Sequence, residues 1–427
     1  MSDRREKERR MRNLRVDGDR LWTSLMEIGR IGETPAGGCR RLALTEEDGL
    51  ARDLFCRWAR EAGCTIRVDA IGNIFARRAG RDDSLPPVMV GSHLDTVPTG
   101  GKFDGILGVM TGLEILRSLH NREIVTEAPV EVAVWTNEEG SRFSPMTLGS
   151  SVFTGEADLE FAYGRSDEKG TTVGEALAAI GYKGNAPAAA GPIKAYFEVH
   201  NEQGPVLEER GEPVGIVTGS FYARYFVATI RGEAAHVGPT PMERRKDAMV
   251  GTAALTLEID RIGRSHGSDG RSNAPHIELY PNVRGVIPSE VRLSCDVRHR
   301  DPEVVAVMEN ELRAAVREVE KARGVKIELE QYYEFGPIHF DPEMAQLLRD
   351  CADSLGLKHS DLLTVAGHDA VPLNRICPTA LLFVASCNGI SHNESEACKP
   401  EDVTDGANVL LQAVLTQAGV AAEAGVA

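Results

Sequence analysis

The sequence is short of positive charge. It sets 48 lysines and arginines against 64 aspartates and glutamates, for a formal net charge of −16. Without a basic field there is nothing to drive counterion release, which argues against nucleic acid or an anionic membrane as a partner. Closely paired cysteines are also missing. Cys39, Cys56, Cys64, Cys295, Cys351, Cys377, Cys387 and Cys398 are scattered with no CxxC spacing. That scatter fits reduced thiols in a cytoplasmic protein and disfavours a disulfide framework or a zinc ribbon. No stretch approaches the roughly 18 apolar residues of a membrane span. The charged start MSDRREKERRMR has no apolar segment behind it, so no signal peptide is expected, and the tail QAGVAAEAGVA is expected to fray.

What is present is a globular composition, 42% hydrophobic and 26% charged. At 427 residues the chain is too long for one compact core, so two domains are expected. Thr45 before Glu46, Glu47 and Asp48 predicts a helix start, with Leu50, Leu54, Phe55 and Trp58 on its buried face. Short strands follow near 66–68 and 73–77. The runs PPVMVGSHLD and VEVAVWTNEE read as buried strands separated by a helix around Leu107–Leu119. Strand, helix, strand is the signature of an α/β fold with a mostly parallel sheet, whose ligands gather at the carboxyl ends of the strands.

From about Gly211 to Tyr333 the expected order is strand, strand, helix, strand, strand, helix, strand. Asp301-Pro302 starts the clearest helix; Val305, Met308, Leu312, Val316 and Val319 line its apolar side, and Gly324 ends it. This suits a small α+β insert of four strands with two helices on one face. TALLFVAS then returns as a buried strand. The reading is a discontinuous domain of residues 1–211 and 334–427, interrupted by a second domain at 212–333.

Polar clusters stand where the buried strands end. In GSHLDTVPTGGKFDG, His93 and Asp95 are two apart and project to one side. Asp95 could order the second ring nitrogen of a metal-bound His93, while Asp104 lies in a glycine-rich loop able to turn back toward it. Glu138 and Glu139, in TNEEG, are adjacent at another strand end; His200 follows AYFEV and His392 sits in GISHNESE. Imidazoles and carboxylates without thiolates suit zinc, manganese, cobalt or nickel. Five ligands from separate segments are too many for one tetrahedral ion and suit two ions sharing a carboxylate.

HLDTVPTGGKFDG, TNEEGSRF, VHNEQGPVLE, GEAAHVGPTPMERRKDA, AGHDA and GISHNESE, in that order from about Ile31 to Asp402, resemble the successive signatures of the M20 metallopeptidase superfamily. They are most similar to its hydantoinase/carbamoylase amidases: N-carbamoyl-L-amino-acid hydrolases, β-ureidopropionases and allantoate amidohydrolases. The resemblance implies a di-metal aminopeptidase-like catalytic domain and a ferredoxin-like lid that also makes a homodimer. It implies two divalent ions, zinc first, with manganese, cobalt or nickel as alternatives. His93 and His200 would hold one ion, Glu139 and His392 the other, and Asp104 would bridge. Glu138 would be the general base that activates water and later protonates the leaving nitrogen.

The same resemblance gives His236 an oxyanion-stabilising role, Gln203 a contact to the substrate amide or ureido group, and Arg298 the substrate carboxylate. Arg298 could instead pair with Asp296 or Asp301. His368 and Asp369 would shape the floor of the site. One position departs: the family usually carries asparagine where PNVRGVIPSE has Gly285, which puts the usual substrate in doubt. The expected activity is hydrolysis of a linear C–N bond in an N-carbamoyl amino acid or a related ureido or amide compound. An allantoate-type amidohydrolase, an aminoacylase or dipeptidase, and a catalytically dead amino-acid-binding relative are the alternatives.

Overall fold

The structure, a computed structural model, describes residues 14–421. The charged start and the last six residues of the tail lie outside them. The chain divides into two compact units. The first comprises residues up to Thr218, Phe340–Leu362 and the segment from Gly367; the second is Gly219–His339 with Leu363–Ala366.

The sheet of the first unit contains β1 (Thr65–Val68), β2 (Ile74–Arg78), β3 (Val88–His93), β4 (Val130–Trp135), β5 (Ala195–Asn201), β6 (Val214–Ser220), β11 (His359–Thr364) and β12 (Thr379–Val384). Their order is β1-β2-β4-β3-β5-β12-β6-β11. The four central strands, β4, β3, β5 and β12, run parallel. Antiparallel pairs flank them, β2 against β4 and β6 against β12. The central strands are buried along their whole length, which is why they read as apolar runs instead of alternating patterns. The strand Val214–Ser220 pairs within this sheet, and the main segment of the second unit is Gly219–His339, against the expected 212–333; β10 (Lys326–Phe335) runs past residue 333.

Helix α1 (Glu46–Glu61) starts at Thr45, whose hydroxyl accepts the Asp48 N–H. Leu54, Phe55 and Trp58 are buried as expected, but Leu50 is 52% exposed. Its place on the core side is taken by a stripe through Asp48, Ala51, Arg52 and Phe55, spaced three and four apart, and Leu50 falls on the opposite side of the helix. Asp48 and Arg52 are both fully buried and form an ion pair at 2.9 Å. Arg52 also donates Nη1 to the Gly72 carbonyl (2.7 Å) and Nη2 to Thr136 Oγ1 (3.3 Å), tying the helix to the carboxyl end of β4. Helix α2 (Ile106–Asn121) follows β3 and packs on the parallel strands.

In the second unit, β7 (Tyr222–Arg231), β8 (Arg271–Tyr280), β9 (Glu290–His299) and β10 form an antiparallel sheet in the order β10-β7-β9-β8. Alternate residues of β9, Val291, Leu293, Cys295 and Val297, face the core with α3 (Ala248–Ser265) and α4 (Pro302–Arg323). Asp301 caps α4, Pro302 opens it, and Gly324 closes it at φ +65°. All five apolar residues read along this helix are buried. The eight cysteines are free. Among the described residues no helix is long and apolar enough to cross a membrane.

Removing one half of a buried ion pair strands the other charge, at about 3–5 kcal/mol. Arg52→Ala should therefore lower the unfolding free energy by about that amount in urea denaturation. A loss under about 1 kcal/mol would mean that Asp48 finds water or a proton instead.

Candidate metal centre

The parallel strands bring the reactive side chains to one edge of the sheet. His93 is the last residue of β3, in register with Trp135 at the end of β4, and Glu138 and Glu139 follow three and four residues later. His200 lies near the end of β5, in register with Phe383 of β12. Asp104 sits just before α2. The next residue, Gly105, has φ +70°, and a Cβ there would run into the His93 ring. Only glycine lets the chain turn so close to that imidazole.

Asp104 is the shared element. Its Oδ1 lies 3.1 Å from His200 Nε2 and 3.7 Å from His93 Nε2. Its Oδ2 lies 3.2 Å from His392 Nε2, which is itself 3.4 Å from Glu139 Oε2. Two donor groups result, His93–Asp104–His200 and Asp104–Glu139–His392, each with its ligand atoms within 4.8 Å of one another. Glu138 Oε2 stands 3.5 Å from His93 Nε2.

Two observations test whether these residues fit a divalent ion. Nδ1 of His93 meets the Asp95 carbonyl at 2.9 Å and Nδ1 of His200 meets the Asn201 carbonyl at 3.0 Å. A carbonyl only accepts, so each Nδ1 carries a hydrogen, and Nε2 is the atom turned toward Asp104, able to coordinate a cation that displaces any proton it holds. The Gly105 N–H also points at His200 Nε2, at 3.1 Å. Second, Glu138 Oε1 and Glu139 Oε1 are buried with no hydrogen-bond partner. The nitrogen and oxygen donors fit a divalent ion.

The electrostatics ask for the same thing. Burial, then Asp369 and Glu139, push the Glu138 carboxyl well above its usual range. Burial, then Asp104 and Asp95, do so for Glu139. Burial works against ionisation of Asp104, but hydrogen bonds from His200 and His392 hold it well below the usual carboxylate range. Burial lowers His93 to about 4, and for His200 the attraction of Asp104 outweighs burial and raises it to about 9. The pocket gathers more negative charge than it neutralises, which a bound cation would offset.

The signature of peptidase family M20/M25/M40 matches residues 89–416, a span that contains every donor just described. The chain belongs to this family. This M20-family chain is 40% identical over 408 residues to an N-carbamoyl-L-amino-acid amidohydrolase of Rhizobium meliloti, covering 96% of this chain and 98% of the relative. A ureidoglycolate hydrolase of Arabidopsis thaliana is 29% identical over 409 residues, 93% and 86% of the two chains. The crystal structure of a hydantoinase/carbamoylase family amidase from Burkholderia vietnamiensis superposes with a TM-score of 0.90 at 47% identity, covering 95% of this chain and 98% of that one.

Asp95 departs from its expected contact in this M20-family chain. Its carboxylate is 4.0 Å from His93 Nδ1, and its main-chain carbonyl makes that bond instead. The carboxylate oxygens take the backbone N–H groups of Glu138 (3.2 Å) and Glu139 (3.3 Å), because the β4 loop turns back over them. Asn137, at φ +55°, sets that turn and donates its amide to the Phe143 and Pro145 carbonyls. Gln203 and His392 also have positive φ, +62° and +52°. A left-handed residue other than glycine costs about 1–2 kcal/mol, and such strain concentrates at functional sites. Nothing in the sequence announces it.

Gln203 donates Nε2 to Asp104 Oδ2 at 2.9 Å. The His368 ring packs edge-on against His200, centroids 4.5 Å apart, and Asp369 accepts from Ser150 Oγ at 2.5 Å. Arg298 and His236 belong to the second unit. Arg298 donates Nε to Asp296 (2.6 Å) and Nη1 to the Val365 carbonyl (3.0 Å), with its guanidinium over Tyr225; of its alternative partners, Asp296 is the one it meets. His236 is exposed and accepts the Gly238 N–H on Nδ1. Gly285 has φ +89° with open space where a side chain would go.

Proposed function

We propose that this M20-family hydrolase uses two divalent ions to cleave a linear C–N bond of an N-carbamoyl amino acid or a related ureido or amide compound. The observation that carries the reading is Asp104, whose two oxygens face His200 and His392 on opposite sides while Glu138 stays outside both donor groups. His93 and His200 would hold one ion, Glu139 and His392 the other, with Asp104 shared. Bound there, the ions would supply Lewis acidity toward the substrate carbonyl and toward water.

Glu138 then has a job that Glu139 cannot share. A carboxylate committed to a dication is a weak base, whereas its neighbour, buried and with a raised proton affinity, takes the proton of the attacking water. It returns that proton to the departing nitrogen as the C–N bond breaks. With an N-carbamoyl substrate the products are an amino acid, ammonia and carbon dioxide. In the same reading Gln203 contacts the ureido or amide group, and His236 donates to the developing oxyanion. Arg298, two of whose five N–H groups are engaged here, takes the substrate carboxylate.

Glu138→Gln should bind both ions normally yet lose at least about a hundredfold in kcat, whereas Glu139→Gln should lose metal first. Metal analysis and ammonia release from N-carbamoyl, ureido and N-acyl substrates in zinc, manganese, cobalt or nickel check both. Bound metal with no Glu138-dependent turnover across the panel would point instead to an amino-acid-binding relative.

Gly285 sets a second expectation. Asparagine tolerates positive φ better than other side chains, and the space beside Gly285 is open. Gly285→Asn should fold with a small stability loss and shift preference toward N-carbamoyl amino acids. Unchanged relative kcat/KM values across the panel would sink that idea.

The second unit also supports a homodimer. β8 is an edge strand that leaves Ile277 and Tyr280 exposed, and an unpaired edge is a template for a second copy. Sedimentation should give twice the 46.3 kDa chain mass. A monomer at micromolar concentration would end this assignment.

A further inference from the structure

One buried carboxylate beside the centre belongs to neither donor group. Glu396 is 6% exposed, four residues after His392. Its Oε1 accepts the backbone N–H groups of Phe103 (3.0 Å) and Asp104 (3.1 Å). Its Oε2 accepts Ser391 Oγ (2.6 Å) and Asn201 Nδ2 (3.3 Å). These partners come from the three segments that carry Asp104, His200 and His392. The side chain reaches them because residue 101 is glycine; a Cβ at Gly101 would occupy the space of the Glu396 carboxylate.

We infer that Glu396 is a positioning residue that fixes the Asp104 loop and the His392 loop to one another, so that Asp104 can serve both donor groups at once. In the arrangement present every partner of the carboxylate is a donor, and its two oxygens accept from all four. Ser391 completes the link. Its hydroxyl lies 2.6 Å from Glu396 and 3.1 Å from Asp104 Oδ2, yet it has one hydrogen to give. The shorter contact takes it, so the hydroxyl stays bound to Glu396 while resting against Asp104 Oδ2. Outer residues of this kind typically change metal affinity by about 10–100-fold when lost.

The inference rests on the metal-centre reading above, and the experiment separates the two. Metal-stripped full-length protein is titrated with zinc or manganese against a chromophoric chelator, alongside Glu396→Ala, Glu396→Gln and Ser391→Ala. Wild type should take up two equivalents. Glu396→Ala should weaken one equivalent by about tenfold or more while the other changes less, because the His93–His200 group keeps its carbonyl-fixed imidazoles. Ser391→Ala should weaken the same equivalent more mildly.

Glu396→Gln should rescue most of the loss. Its oxygen can stay on the Phe103 and Asp104 amides while its NH2 turns to the Ser391 hydroxyl and to Asn201 Oδ1, which has no partner at present. Should Glu396→Ala fail to fold by circular dichroism, Gln rescue and the Ser391→Ala loss still decide. Two equivalents at wild-type affinity in both Glu396→Ala and Ser391→Ala would overturn the inference. So would a glutamine variant as impaired as alanine. Wild type that binds no divalent ion would overturn the metal-centre reading itself.

Discussion

The architecture of the first unit turns on a single carboxylate with two faces. Asp104 must stay ionised although it is buried, and it does so because histidines approach it from both sides. The histidines come from strands and loops far apart in sequence, so the parallel sheet, the glycine at 105 and the left-handed turn at His392 all serve one local charge balance. Remove that balance and the remaining acids, Glu138, Glu139, Asp95 and Asp369, have no reason to tolerate burial together. The site gathers more buried acid than its own histidines neutralise, an imbalance that a bound cation would offset.

The adjacent glutamates show how finely such a site can be divided. Successive residues share one peptide unit, yet the structure gives them different neighbours: Glu138 beside His93, Glu139 beside His392. The division is enforced from behind. Asp95 grips both backbone amides, Arg52 braces Thr136 ahead of them, and Asn137 supplies the turn between. The placement of the pair is therefore held by backbone contacts and not by the glutamate side chains.

Much of this was legible in the sequence, for physical reasons. Strands buried on both faces cannot hide their apolar runs, and polar groups at their ends stand out against them. The helix at 302–323 declares itself through its cap, its proline and its closing glycine. What could not be read was of another kind. The buried Asp48–Arg52 pair looks in sequence like solvated helix charge, and it displaced Leu50 from the core side. The bond of Asp95 to two amides depends on a loop turning back from β4, a tertiary fact that spacing does not carry. Glu396 was one acid in an acidic stretch, distinguished only by the three segments that fold around it. The edge between the two units shifted for the same reason, since Val214–Ser220 pairs with β12, a strand more than 150 residues later.

That late strand has a consequence for how the protein is made. β12 is laid between β5 and β6 in the middle of the sheet, and the loop after it delivers His392 and Glu396. During synthesis the sheet can therefore close only once β12 has followed β1 to β11 off the ribosome, and His392 and Glu396 emerge later still. A nascent chain that stops short of β12 therefore carries Asp104, Glu138 and Glu139 without the imidazole of His392.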